Sequence, residues 1–577
     1  MINAELKFCI ILVFASLIVS LVALRIYFSG KTFKFPKFFI WGISIFSLGI
    51  LTSNLFAHNE TRAWISSILW HFLPLALCIC LAQFQWTRIR IIIFTSFLIL
   101  SGLVTSIICL DQHYLWTDWS IKLPMKSKSI PTGIIFNHNF AAEFLAPILP
   151  VCLGLAWYTR NLLIRIILLF SLAFIFLPVL SLSLARGAWV GMIAGCALAS
   201  FAFLIANLAK GKITREILPK VFPKFLAFII LALALPAYLY TSNYWKKSSE
   251  ESIKHSKSLE IKELASISIQ TEDSSILRRY ELWKDAWNSI WEEDFLFGKG
   301  TDHYELHFHE TAENSDAGGR KSLVRYVHND YLQTLYENGL VGFFGLSLIW
   351  FGILYHSLKR FNGNENDENN RLSWLRLGLI AGFATFLIES FFEFPGRSPC
   401  ALLVAWSILG LLLGLTLQAN LETNPLKSTT KYIGPFGKLI IGSLGLFAMP
   451  ASLVLSKNIF WGNVYHYQAR RATDVRDFDK SLEFHRKSIE FTPWQDRSRK
   501  WESYLLLSKF KNYKDALSAA EKAIEVHPGC LNAHRYRIGI LYNQLNRRED
   551  AKLAFEEMKR IAPYHIYTRK EERRFKK

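Results

Sequence analysis

The chain has 577 residues, of which 51% are apolar and only 19% charged, with 45 Phe and 18 Trp. Soluble domains carry about 25% charged residues, so this composition excludes an ordinary soluble enzyme and points to a membrane protein. The balance of 66 basic against 46 acidic residues gives +20, which on a polytopic chain reflects basic inside loops and lipid headgroups rather than nucleic acid.

Apolar stretches long enough to cross a hydrocarbon core of about 30 Å recur along the chain. They fall at 6–28, 37–57, 63–84, 89–110, 134–157, 163–181, 187–208, 225–241, 339–357, 377–394, 399–418 and 439–456. The fold class expected is therefore all-α, a polytopic membrane protein of about 12 transmembrane helices over residues 1–456. The first stretch has Glu5 and Lys7 ahead of it and no small-residue cleavage site after it, so it reads as a retained span and not a signal peptide. Seven of the eight Cys (Cys9, Cys78, Cys80, Cys109, Cys152, Cys196, Cys400) lie in apolar runs without metal or disulfide spacing and read as small hydrophobes.

Loop charge sets the expected orientation. One set of alternate loops holds Lys31, Lys34 and Lys37, Arg88 and Arg90, Arg160 and Arg165, the cluster from Lys210 to Lys224, Lys359 to Arg376, and Lys427, Lys431 and Lys438. The other set offers Arg62, Lys122, Lys126, Lys128, Arg186 and Arg397. The first set is expected inside. Both termini, the long 242–338 segment and everything beyond about 457 are then expected outside.

Residues 457–577 change character, with 27 basic and 16 acidic residues on helices of period 3.6. Self-similarity recurs every 35 residues: Pro493, Pro528 and Pro563 each follow a helix, and Ser481, Ala516 and Ala551 take matching small positions. This looks like three tetratricopeptide-type repeats, a binding or docking surface. A single amphipathic three-helix appendage is the plainer alternative.

Three polar groups sit on the expected outer side. Arg186 stands at the mouth of a span, where an arginine is costly unless it meets an anion, although a snorkelling arginine at the interface is the plain alternative. Arg278 and Arg279 lie on a helix that ends in a glycine-bounded turn. His328 and Asn329 precede a helix that runs directly into a span. The basic pair and the histidine, each alone, read as structural. A rival metal site would use His303, His307 and His309 with Glu310, but a charged outer loop with several His is more often solvated. Glu389 and Glu393, at helical spacing, could pair with Arg186 or Arg397 or contact an acceptor.

Taken in order, these motifs resemble the O-antigen ligase and O-antigen polymerase superfamily. The resemblance runs over roughly 130–415: Asn137, His138 and Asn139 ahead of a span, Ser183 to Gly187, Arg279 to Trp283, His328 through Gly339 (HNDYLQTLYENG), and the late turn with Glu393, Pro395 and Arg397. It implies a nucleotide-independent glycosyltransferase without a cofactor or metal, in the bacterial inner membrane with its site on the periplasmic face. The implied donor is an undecaprenyl-pyrophosphate-linked glycan. The implied acceptor is lipid A core (ligase), a growing glycan (polymerase) or an exported protein (O-oligosaccharyltransferase). His328, Arg186 and Arg279 would be catalytic, and Asn329, Arg278, Asn137, Asn139, Glu393 and Arg397 would bind substrate. The partners are membrane lipids and, on the repeat module, an assembly partner or protein acceptor. Two readings of another class compete. A solute transporter would need an inverted repeat with paired broken helices, which the sequence lacks. A scaffold anchored by its spans would not need the motif set.

Overall fold

The computed structural model describes residues 2–29, 31–33, 35–114, 131–135, 137–183, 185–208, 274–292, 294–311, 324–359, 367–423, 430–432, 435–563 and 565–575. The expected span at 225–241, residues 242–273 and 312–323 of the long outer segment, and the basic loops within 115–130, 209–224, 360–366 and 424–429 lie outside the described residues. So do the side chains of Arg278 and Glu310.

The architecture is all-α and polytopic. Among the described residues, nine helices are long and apolar enough to cross a membrane: Lys37–Leu55, Glu60–Ala82, Arg88–Tyr114, His138–Tyr158, Leu162–Leu182, Arg186–Ile205, Asp330–Lys359, Arg371–Glu389 and Pro399–Ala419. Each coincides with one of the twelve expected stretches. The expected first and last spans are also helical, Ile2–Ser29 and Pro435–Asp474. These two pack along each other: Cys9 Sγ donates to Ser456 O and Ser456 Oγ to Cys9 O, both at 3.3 Å, and Met449 N donates to Ser20 Oγ at 3.2 Å. One antiparallel pair of three-residue strands, Lys31–Phe33 and Thr430–Tyr432, follows the first helix and precedes the last.

His138–Tyr158, Arg371–Glu389 and Pro399–Ala419 form the buried centre, with Trp406, Phe383 and Phe386 in a core continuous with Phe46 and Phe176. Arg88–Tyr114, Leu162–Leu182 and Arg186–Ile205 lie at the periphery and leave Phe97, Leu163, Phe174 and Phe201 exposed, as lipid-facing side chains require. Two spans widen into a π turn just ahead of a proline: Ile68–Phe72 before Pro74, and Leu172–Phe176 before Pro178. Proline lacks the N–H and its ring crowds the carbonyl four residues back, so the preceding turn opens to relieve both. Where Lys37–Leu55 meets Asp330–Lys359 the backbones touch. A Cβ on Gly345 would stand 2.2 Å from Phe46 N, and one on Gly49 would stand 2.3 Å from Gly342 N. This is the close helix approach that small residues allow in membranes.

Asp330–Lys359 does not run unbroken into its span. Gly339 sits at φ +64°, ψ −178°, which splits it into a short N-terminal segment and a spanning one. The turn at 294–300 fills the break. Leu340 N and Val341 N donate to Phe295 O and Leu296 O at 2.8 and 3.2 Å, while Lys299 N and Gly300 N donate to Tyr336 O and Glu337 O at 3.0 and 2.9 Å. Every backbone group freed by the break that is named here thereby recovers a partner, as burial demands. A Cβ at residue 339 would lie 2.3 Å from Leu296 O, so glycine is required both for its φ and for this approach.

The expected change of domain at 456/457 falls inside one continuous helix, Pro435–Asp474. Polar composition begins there, but no glycine or helix-ending motif stops the helix. Beyond it, Phe478–Phe491, Arg497–Ser508, Tyr513–Val526, Leu531–Gly539, Arg548–Ile561 and Ile566–Phe575 form successive hairpins. The period of 35 recurs in the backbone: Arg476, Lys511 and Asn546 are all left-handed, with φ +63°, +52° and +52°. The following Asp477 and Asn512 cap the next helix by accepting from Lys480 N and Asp515 N. Ser481, Ala516 and Ala551 are fully buried where paired helices cross.

The C-terminal hairpins are docked on the segments around residues 58–59 and 306–309. His58 Nε2 meets Glu525 O at 2.7 Å, Asn59 Nδ2 donates to Trp494 O and Val526 O at 3.1 Å each, and Gly529 N donates to Leu306 O at 3.2 Å. The His309 and His565 rings meet edge to face at 5.1 Å.

Candidate active site

The turn that joins Arg371–Glu389 to Pro399–Thr423 gathers three of the residues singled out by sequence. Asp330 N donates to Ser390 O at 2.8 Å, and Asp330 Oδ2 accepts from Gly396 N at 2.7 Å, so the start of the 330–359 helix is fastened to the 390–397 turn. Asn329 caps that helix, accepting from Tyr331 N and Leu332 N at 3.0 Å each, and its Nδ2 donates to Phe391 O at 3.1 Å. The Asn329 side chain is thus held by backbone on both sides.

His328, immediately before, has φ +59°. A β-carbon in the left-handed region is strained, and such strain concentrates at functional positions. Trp283 Nε1 donates to His328 O at 3.2 Å and the ring packs edge-on to Phe394 at 4.7 Å, which holds the residue in this conformation. Nδ1 then lies 3.4 Å from Glu393 Oε2. The other oxygen of the same carboxylate takes Arg279 Nη2 at 2.5 Å. Glu393 therefore bridges Arg279 and His328. Its side chain is buried, while Arg279 and His328 are 26% and 32% exposed, so the cation and the imidazole reach solvent and the carboxylate does not.

Arg186 opens the Arg186–Leu208 helix and is exposed. Its neighbour Gly187 lies against the bridge, since a Cβ there would stand 3.0 Å from Glu393 Cγ. Asn137 is a helix cap, accepting from Asn139 N and Phe140 N. Phe140 in turn packs on Phe394, at 5.6 Å. The wall below is acidic. Glu143 and Glu389 are buried, and their carboxyl oxygens have no hydrogen-bond partner among the described residues.

Arg397 is placed elsewhere. It is buried in an ion pair with Glu337, which also accepts from Gln333, and its guanidinium lies 5.9 Å from the centre of the Trp70 ring. A guanidinium 3% exposed is closed to an external substrate, so the substrate contact expected of Arg397 gives way to a buried strut. Glu389 meets neither Arg186 nor Arg397 in a hydrogen bond. Glu393, expected to pair with one of those two or to contact an acceptor, pairs with Arg279.

The three histidines of the rival metal reading do not converge. His303 is buried, with Nδ1 3.0 Å from Thr301 O and Nε2 accepting from Asn59 N at 3.1 Å, a pattern that fits the neutral tautomer. Burial lowers its pKa to about 3. His309 is likewise lowered to about 3 by burial and by His565. Among the described residues no three His, Cys, Asp or Glu side chains group as a metal site. Next to His303, burial would raise the Asp302 carboxyl, but Arg62 and Arg325 hold it well below the carboxylate range.

The O-antigen ligase family model matches residues 169–347. Over these residues the chain is similar to the O-antigen ligase family. The match takes in Arg186, Arg279 and His328 through Gly339, and it stops before Glu393. An uncharacterised protein of Haemophilus influenzae is similar to this chain, 29% identical over 90 residues, which is 16% of the chain and 22% of that protein. No solved structure matches it. The chain spans about a fifth of the length of that curated relative, and the family likeness lies within a helical protein with membrane-crossing helices. Sequence alone singled out His328, Arg279 and Glu393, but not the bridge that Glu393 makes between the other two. The only signal for it was the Glu-Phe-Pro-Gly-Arg turn far along the chain.

Proposed function

We propose that the protein transfers a glycan from an undecaprenyl-pyrophosphate donor to an acceptor hydroxyl at the periplasmic face of the inner membrane, in the manner of an O-antigen ligase. The observation that carries the proposal is the Arg279–Glu393–His328 bridge at the outer end of the spans. With Glu393 accepting from Nδ1–H, the His328 Nε2 keeps its lone pair and can take the proton of the acceptor hydroxyl. The hydroxyl oxygen forms its bond to the anomeric carbon as the bond from that carbon to the phosphate oxygen breaks. The electron pair leaves with the pyrophosphate.

The charge that develops on the leaving group needs permanent cations with planar donor geometry. Arg279 has five N–H donors, and one ion pair with Glu393 leaves others for phosphate oxygens. Arg186, exposed one residue from the glycine that touches Glu393, is the second cation. Orientation with the basic loops inside puts this site on the outer face. Asn137 and Asn139 line the approach, and the repeat module is a tetratricopeptide-type domain on the same side.

The test is glycan transfer in membranes with purified lipid-linked donor and no nucleotide, in parallel with donor crosslinking. His328→Ala is expected to lower transfer by roughly 10²- to 10⁴-fold while donor still crosslinks. Near-normal transfer by that variant would rule out the proposed base. Offering lipid A core, free glycan and an exported protein as acceptors separates ligase from polymerase and from protein glycosylation.

A further inference from the structure

The repeat module carries a second surface of distinct chemistry. His466, Trp501 and Tyr536 are spaced by 35 residues and so occupy one equivalent position on three stacked helices. Their rings and those beside them form a path: His466 meets His485 at 5.4 Å, His485 lies parallel to Trp501 at 6.1 Å, Trp501 meets Tyr504 at 5.4 Å, and Tyr504 meets Tyr536 at 6.0 Å. Trp501, Tyr504 and Tyr536 are half-buried.

Cations lie along this path. The Arg470 guanidinium is exposed and rests 4.6 Å over the Trp501 ring. Arg497 precedes Ser498, whose hydroxyl bonds His466 Nδ1 at 2.9 Å. Neither arginine has a carboxylate partner among the described residues. Lys500 has one, Asp496, at 3.5 Å. His466 lies among Arg497, Arg470 and Lys500, and burial together with their charge lowers its pKa to about 4. A guanidinium stacked on a ring keeps its donor edge free for a planar or tetrahedral oxyanion. Such a row of half-buried rings, flanked by arginines without carboxylates, is complementary to a ligand with both apolar C–H groups and anionic groups.

We infer that this face, built on Arg470, Arg497, Lys500, Trp501, Tyr504 and Tyr536, binds an anionic saccharide. The inference rests on the glycan-transfer reading and deepens it: the surface holds the acidic glycan partner of the reaction on the module docked beside the site. An acidic peptide would satisfy the arginines but has no sugar faces for the rings.

The experiment uses the full chain in detergent and measures binding by calorimetry without donor, so its result does not depend on whether transfer occurs. The probes are a phosphorylated mannose oligosaccharide, neutral dextran of matched length and polyglutamate. The phosphorylated oligosaccharide is expected to bind at least tenfold more tightly than either control. Arg470→Gln with Arg497→Gln, both on the surface, is expected to remove at least tenfold of that affinity, and Trp501→Phe to keep most of it. No binding of the phosphorylated probe, equal or tighter binding of polyglutamate, or undiminished binding by the double variant overturns the inference. If binding follows the expectation while transfer is absent, the surface stands and the transfer reading falls.

Discussion

Two arginine–glutamate pairs sit on either side of one short turn, and they do different work. Arg397 and Glu337 are sealed, 3% and 0% exposed, with Gln333 and the Trp70 ring around them. Arg279 and Glu393 share one buried partner and one open one, and the open cation is joined through the carboxylate to a strained histidine. The comparison teaches that burial of the cation separates a strut from a site. A sealed pair cannot exchange its partner for a ligand, whereas a half-open one can.

The largest effect is expected from the strut. Arg397→Ala should leave Glu337 buried and uncompensated, at a cost of about 3–5 kcal/mol, and the variant should fail to accumulate in membranes. Replacing both, Arg397→Met with Glu337→Leu, should recover most of the folded protein, as read by thermal melts in detergent. The same logic should fail at the site. Glu393→Gln should leave accumulation near normal, because Arg279 still reaches water, yet lower transfer roughly 10- to 100-fold by loosening His328. If Glu393→Gln instead destabilises as much as Arg397→Ala, the two pairs are alike and the distinction is wrong.

Gly339→Ala should cost about 1–2 kcal/mol from the left-handed backbone alone, with the Leu296 carbonyl adding to it, and should lower both the melting temperature and transfer. A further effect concerns pH. His303 and His309 are neutral in the fold, with pKa values near 3 against an ordinary 6.5. Between these values the unfolded chain binds protons that the folded one does not. Stability is then fully present above about 6.5 and falls as pH drops, by up to about 1.4 kcal/mol per unit for each group. Melts between pH 7.5 and 5 should show that slope, and His303→Gln should flatten part of it.

Most of the fold was legible because spans announce themselves by apolar length, and the 35-residue period by Pro493, Pro528 and Pro563. The continuous helix through 456/457 was not, because nothing at Ser456 or Lys457 marks that the helix goes on. His328 and Arg279 were singled out from residue type and order. Their sharing of the Glu393 carboxylate was not legible, since it depends on a turn fastened by Asp330 to Gly396 N, a contact 66 residues apart. The docking of the repeats was hidden for another reason. It is made largely to the carbonyls of Glu525, Trp494, Val526 and Leu306, which every residue type possesses.

The helix Pro435–Asp474 has one further consequence. Its 40 residues extend about 60 Å at 1.5 Å per residue, twice a hydrocarbon core of about 30 Å. It therefore sets both the height and the angular phase of everything after it. One inserted residue would lift the repeats by about 1.5 Å and turn them by about 100°, carrying Gly529 away from Leu306 and Val526 away from Asn59. Seven residues, close to two whole turns, would restore the angle but not the height.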